Sequence, residues 1–414
     1  MTGGPDGGIL AAMTTHQAIA TPNRQRESHN TDRSSTRRRR SRATRHAVRP
    51  VVVGAGSAGL AVAAELSRRG VAATVLEESG AVGAAWRGRY DRLRLNSTKG
   101  VSALPGARWP SGTAAFPTRD ELVAYLDAYA ARHALNIQLE TRVGRVDRDG
   151  EEWVVHAGGE QLRTRWVVIA TGQSRVPYMP RWRGQHAFDG RLLHAAQYRN
   201  PDGLKGRDVL VIGAGSSGME IAYDLAQGGA ARVRVAVRTP PNLLRRSPAG
   251  PTIAKALYHL PAGLADALTR AVRRREIGDL AAFGLPVPEE GMFSRLRRLG
   301  VVPTIIDREV VDAIRSRRIE TVDAVVGFGA RHVELAGGQR IAPEVVIAAT
   351  GYRAGLEAIV GHLGVLDEHG MPRVPGCEAA PELHFIGFDH RPAQIGYGGR
   401  EAVKAARSIA KAAR

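Results

Sequence analysis

The chain has 414 residues, 43% hydrophobic and 24% charged, with a formal net charge of +19 and a single cysteine, Cys377. That length allows two or three domains with sizeable cores, and the lone thiol excludes an intramolecular disulfide framework, a redox dithiol and a cysteine-rich metal site, in keeping with a reducing, cytoplasmic setting. No apolar run approaches the roughly 18 to 20 residues that a membrane-spanning helix needs, and the 13 histidines show no paired-ligand spacing, so no metal is expected.

Residues 1–47 read as a disordered Arg/Ser-rich tail, because "SSTRRRRSRATRHAVR" has no apolar periodicity with which to offset its ordering entropy. Up to residue 49 the chain holds ten arginines against three acids, so +7 of the +19 belongs to this segment. An inert extension and a contact with nucleic acid or another anionic surface are both open to it.

"VVVGAGSAGLAVAAEL", residues 51–66, follows this tail and fits either a secretory signal or a buried strand turning into a helix around a phosphate. Its neighbours decide for the second. Gly54, Gly56 and Gly59, with Ser57 and Ala58 between them, form G-x-G-x-x-G directly after an apolar strand: a tight turn, a close approach for pyrophosphate, and helix-on-sheet packing. About 20 residues on, "AATVLEESG" ends a β-type run at Glu77, placed for adenosine ribose hydroxyls.

A second copy begins 159 residues later, with Gly213, Gly215 and Gly218 in "RDVLVIGAGSSGMEIAYDL". Ser216 and Ser217 lie at the positive helix end, where helix capping and phosphate contact are compatible. The companion strand "ARVRVAVRTP" ends in Arg238, and Arg245 and Arg246 follow; a guanidinium there suits the 2′-phosphate of NADPH, and a carboxylate does not.

Two dinucleotide turns imply electron transfer between two bound cofactors, FAD on the first and NADPH on the second. "WVVIATGQ" (Ala170, Thr171, Gly172) and "EVVIAATGY" (Ala349, Thr350, Gly351) read as strands ending where the chain crosses between domains. The C-terminal "ELHFIGFDHRPAQIGYGGREAVKAARSIA" reads as a strand ending at Asp389, a glycine-rich loop and a helix that complete the flavin domain. The expected fold is α/β: two Rossmann-like dinucleotide-binding domains of the FAD/NAD(P)-binding type, the NADPH domain inserted in the FAD domain. The boundaries expected are 48–175 for the first part of the FAD domain, 176–350 for the NADPH domain with a helical insertion at about 250–300, and 351–414 for the C-terminal part. Residues 253–282 mix apolar spacing with basic Arg273 to Arg275, which fits packed helices over a substrate channel, a lid or a membrane-surface helix.

Between the two turns, "FDGRLLHAAQY" fits F-x-G-x-x-x-H-x-x-x-[YF] with Phe188, Gly190, His194 and Tyr198. The chain thereby resembles the class B flavin-dependent monooxygenases, and "WRGRYDRLRLNSTKGVSALPG", "FPTRDELVAYLDAYA", "IGDLAAFGLPVP" and "GVVPTIIDREVVDAIRSRRIETV" resemble their YUCCA-type branch and its bacterial relatives. The resemblance implies that Trp86, Asn96 and Ser97 lie against FAD, that Val143 meets the adenine through its backbone, and that Leu95 and Asn96 border NADP. Asn96 is the implied catalytic residue, a neutral amide that hydrogen-bonds the flavin hydroperoxide without protonating it. His194 is either a hinge coupled to nicotinamide movement or a scaffold histidine.

The implied activity is an NADPH- and FAD-dependent monooxygenase that uses molecular oxygen on a small-molecule substrate, either a nitrogen or sulfur nucleophile or a carbonyl compound such as an indole-3-pyruvate-like 2-oxo acid. Two departures bear on the substrate: the YUCCA branch carries His at the Asn96 position, and the Baeyer–Villiger fingerprint prefers Trp or Pro at Tyr198. Ala84 also replaces a glycine of many relatives. The alternatives are an NADPH-dependent flavin reductase serving an electron acceptor, and a redox-responsive nucleic-acid binder using the tail. A homodimer is compatible with the sequence.

Overall fold

The computed structural model describes residues 49–414; the expected tail lies outside them. Short β-branched runs, buried on both faces, build two mostly parallel sheets. The chain begins β1 (Val51–Val53), α1 (Ser57–Ser67), β2 (Thr74–Leu76), α2 (Arg119–Arg132) and β3 (Asn136–Gln138). The start of α2 is fixed by a capping box in which Thr118 accepts from the Glu121 amide and Glu121 accepts from the Thr118 amide. An antiparallel ribbon of β4 (Val143–Asp149), β5 (Glu152–Ala157) and β6 (Glu160–Thr164) leads into β7 (Val167–Ile169).

The chain then leaves this sheet for a second one. Its elements are β8 (Arg191–His194), β9 (Asp208–Ile212), α3 (Ser216–Gln227), β10 (Arg232–Val237), β11 (Leu243–Arg245), α4 (Gly250–Leu257), α5 (Ala262–Glu276), α6 (Met292–Leu299), β12 (Thr304–Ile306), α7 (Arg308–Arg315), β13 (Glu320–Asp323) and β14 (Val345–Ala348). It returns through β15 (Glu378–Ala380), β16 (Leu383–Phe385) and α8 (Gln394–Ala412). The first sheet runs β15-β16-β7-β1-β2-β3, parallel apart from β15, and the second runs β13-β10-β9-β14-β8, parallel throughout. One Rossmann-like unit is therefore threaded into another.

The small residues of "AGLAVAA" let α1 lie close to both its sheet and α8, with Leu60, Ala61, Val62, Ala64 and Leu66 at 0% exposure. In the second unit, α3 buries Met219, Ile221, Ala222 and Leu225 against β9 and β10.

The C-terminal expectation needs correction. The strand stops at Phe385, short of Asp389, and Gly396, Gly398 and Gly399 lie inside α8 instead of a loop. Close packing explains them: a Cβ at Gly396 would run into the Val101 carbonyl, and one at Gly399 would stand 2.9 Å from the Pro105 ring. These glycines let a helix approach backbone; they do not form a turn.

Candidate nucleotide-binding and active site

The two glycine turns are near copies in space. Gly54 (φ +106°) and Gly213 (φ +117°) take a backbone conformation that favours glycine, and a Cβ on them would stand 2.7 Å from the Ala170 carbonyl oxygen and 2.5 Å from that of Ala349. A Cβ at Gly59 or Gly218 would collide with the carbonyl of Gly54 or Gly213. These four glycines are demanded by the fold itself. At Gly56 and Gly215 a Cβ meets nothing within 4 Å among the described residues, so their lack of a side chain leaves open space beside the helix N-termini.

Both turns open on one cleft of about 880 Å³. Of the residues expected to bind cofactor, Gly54, Gly56, Ser57, Ala58, Glu77, Trp86, Leu95, Asn96, Ser97 and Val143 line it from the first unit, with Thr171 and Gly172 at the crossover. Gly215, Ser216, Ser217, Gly218 and Gly351 line it from the second. Glu77 is 8% exposed; its Oε2 accepts from the Ala55 amide at 2.7 Å and its Oε1 from the Ser79 amide at 3.0 Å, which fixes the carboxylate at the cleft edge. Thr171 Oγ1 and Gln173 Oε1, on the same wall, are buried polar atoms without a hydrogen-bond partner among the described residues. Open space at Gly56, a fixed carboxylate and these two orphaned oxygens fit an adenosine diphosphate carrying a polar isoalloxazine.

Other expected residues lie outside the lining. Gly59 and Gly213 act within the turns, and Thr350 Oγ1 donates to the Tyr178 carbonyl at 2.5 Å. Asp389 pairs with Arg391 at 2.7 Å, and it is Arg391 that reaches the cleft. Arg238 is exposed just beyond β10, and no ion pair engages it among the described residues. His194 is buried at the end of β8. Its Nδ1 accepts from the Ala196 amide and its Nε2 stands 3.0 Å from the Gly351 oxygen, so the neutral ring carries its proton on Nε2. Burial holds its pKa below the ordinary histidine value. Tyr198 donates to Asp224 at 2.8 Å, and Phe188 packs edge-on against Phe328.

Two sequence expectations change. The N-cap of α3 is Gly215, and the Ser216 hydroxyl accepts from the Ile305 amide at 2.9 Å, so it ties β12 to the helix start and caps nothing. Arg246 does not join Arg238: its guanidinium turns inward, 3% exposed, onto Glu220, Asp307 at 2.9 Å and Asn96 at 3.1 Å. Tyr90 completes this group by donating to Glu220 at 2.5 Å. Burial raises the Glu220 pKa, opposed by the Arg246 charge and by the Tyr90 hydroxyl. The sequence signal for this network was an acid on the apolar face of an amphipathic helix, which calls for a buried partner.

A family model described as pyridine nucleotide-disulphide oxidoreductase matches residues 51–254. The indole-3-pyruvate monooxygenase YUCCA4 of Oryza sativa subsp. japonica is 35% identical over 365 residues, which cover 82% of this chain and 83% of that protein. A flavin-containing monooxygenase from Stenotrophomonas maltophilia is 26% identical with a TM-score of 0.67, over 89% of this chain and 99% of that one. The fold is also that of a structure described as an OTEMO complex with FAD and NADP, 19% identical with a TM-score of 0.68, over 88% of this chain and 84% of that one.

Proposed function

Because the chain belongs to the flavin-dependent monooxygenase family that includes the YUCCA indole-3-pyruvate monooxygenases, we propose that the Gly54–Gly59 turn holds FAD, the Gly213–Gly218 turn holds NADPH, and the shared cleft oxygenates a small apolar 2-oxo acid. The enzyme couples oxidation of NADPH to insertion of one atom of O2 into a small organic substrate. Bound FAD supplies hydride acceptance and oxygen activation.

The chain's own groups bind, orient and exclude water. The open faces of Gly56 and Gly215 admit the two pyrophosphates to the N-termini of α1 and α3. Glu77 takes the ribose hydroxyls of one cofactor, Val143 meets its adenine through the backbone, and Arg238 takes the 2′-phosphate of the other. Asn96 gives Nδ2 to the cleft as a neutral donor, able to hydrogen-bond bound oxygen without delivering a proton. Leu244, Ala254, Met292, Phe293, Leu296 and Val302 keep the substrate wall apolar and dry. Arg391, between the rings of Tyr258 and Tyr397, supplies a cation on that wall for a substrate carboxylate.

The observation that carries this reading is a single cleft lined by both glycine turns. The neutral amide of Asn96, where the YUCCA branch has His, favours a second substrate class, soft nitrogen and sulfur nucleophiles. The test supplies FAD, NADPH and air with indole-3-pyruvate, a thioether or a tertiary amine. The proposal expects one NADPH and one O2 consumed per arylacetic acid, CO2 and water formed. Turnover confined to the thioether or amine selects the second class. Anaerobic NADPH oxidation by an added acceptor, with no oxygenated product in air, overturns both.

A further inference from the structure

Asn96 is tied to the second unit by Arg246, which lines the same cleft. Arg246 Nη2 donates to Asn96 Oδ1 at 3.1 Å. A guanidinium has only donors, so this contact selects the amide oxygen and leaves Nδ2 as the atom free to face the cleft. Among the described residues, no protein acceptor takes Nδ2, and Asn96 lines the cleft beside Trp86 and Leu95.

The guanidinium is itself held firmly. Its Nη1 reaches Asp307 Oδ2 at 2.9 Å just before α7, its Nη2 pairs with Glu220 on α3, and the ring of Phe116 lies 5.9 Å from its carbon. Arg246 and Glu220 are 3% and 5% exposed. With two carboxylates from one unit bracketing it, Arg246 cannot swing to follow Asn96; Asn96 must conform to Arg246. The Tyr90–Glu220 bond at 2.5 Å fixes the same segment of the first unit a second time, six residues earlier.

We propose that Arg246 is the positioning residue that sets which way the Asn96 amide faces, and that it does so across the seam between the two units. The oxygen and nitrogen of an unrestrained amide differ little in size, so without Arg246 either end is presented. A carbonyl oxygen facing the cleft would repel an oxygen species in place of hydrogen-bonding it. Because Arg246 belongs to the second unit and Asn96 to the first, the donor is oriented only when the units are seated together. This inference rests on the proposed role of Asn96 and adds the group that governs it.

The test compares the wild-type holoenzyme with Arg246→Met, Arg246→Lys, Asn96→Ala and the double variant Asn96→Ala/Arg246→Met. Arg246→Met is also made with Glu220→Gln, so that no unpaired carboxylate is left buried. Three quantities are read: the visible absorption of bound oxidised FAD, the anaerobic rate of flavin reduction by NADPH, and the rate at which the reduced protein releases H2O2 in air without substrate, by NADPH + O2 + H+ → NADP+ + H2O2. Arg246→Met should release peroxide roughly tenfold faster, as loss of a charge-assisted hydrogen bond predicts. It should shift the flavin band as Asn96→Ala does, and Arg246→Lys should recover part of both effects. In the Asn96→Ala background, Arg246→Met should add nothing. Unchanged peroxide release, or an undiminished effect of Arg246→Met when Asn96 is already gone, overturns the inference. If the Met variants do not fold, the Arg246→Lys effect with and without Asn96 decides by the same non-additivity. A wild-type protein that binds no FAD would instead remove the underlying site reading.

Discussion

Gly56 and Gly215 hold equivalent places in two strand–turn–helix units 159 residues apart, and at both a Cβ would point into open space, whereas at Gly54 and Gly213 it would press on the backbone of the neighbouring strand's end. Folding and ligand binding are therefore separable by single substitutions. Gly56→Ala should fold with a melting temperature close to that of wild-type apoprotein and fail to retain FAD. Gly215→Ala should keep FAD and show a KM for NADPH raised at least about tenfold, because the methyl group occupies the pyrophosphate approach. Gly54→Ala and Gly213→Ala should instead lower stability in the absence of any cofactor. Absorbance at the flavin band, thermal unfolding and initial rates measure all four.

Arg238 stands exposed at the end of β10 without an ion-pair partner among the described residues, which leaves it available to an incoming phosphate. Arg238→Ala should raise the KM for NADPH by roughly 10- to 100-fold, the value of one charge-assisted hydrogen bond, and leave NADH nearly unaffected. An equal loss for both nucleotides would remove the 2′-phosphate assignment.

His194 spans the fingerprint segment and the second crossover through its bond to Gly351, and its ring meets Tyr352 edge-on at 5.1 Å. As a scaffold residue, His194→Ala should cost about 1–3 kcal/mol of stability and change hydride transfer only a few-fold. A more than tenfold fall in anaerobic reduction at unchanged melting temperature would select the hinge role. Unfolding and stopped-flow reduction on one preparation separate the two.

How much the sequence disclosed follows from how local each signal was. The turns at Gly54 and Gly213 obey strict spacing because sterics allow little else, and the strands ahead of them are short apolar runs. Gly396, Gly398 and Gly399 imitate a loop, since glycine composition alone does not tell a turn from a helix face pressed on backbone; only the proximity of Val101 and Pro105 does. The place of Arg246 is hidden from the sequence for a similar reason. Its neighbours in sequence mark a phosphate site, while its partners Glu220, Asp307 and Asn96 lie 26 to 150 residues away.

Glu401 offers a pH test of the packing around α8. It is buried, its Oε2 accepts from the Gly387 amide at 2.8 Å, and burial pushes its carboxyl up to about 7. An unfolded-chain glutamate titrates near ~4.3, so between these values the folded protein holds a proton that the unfolded chain has released. The stability this contributes is complete below the unfolded value and is lost as pH rises through about 7, a change on the order of 4 kcal/mol. Glu401→Gln keeps an acceptor for Gly387 and carries no charge, so its unfolding midpoint should vary less than that of wild type between pH 5 and 8. Parallel curves would show that Glu401 is not the titrating group.

The most direct test of the central claim, two nucleotide sites serving one oxygen-inserting cleft, is turnover under 18O2 with the FAD-loaded protein and NADPH. The account predicts one labelled atom in the product, the other in water, and equal molar consumption of NADPH and O2. Product free of label, or complete recovery of the consumed O2 as hydrogen peroxide with every substrate that accelerates NADPH oxidation, would contradict it.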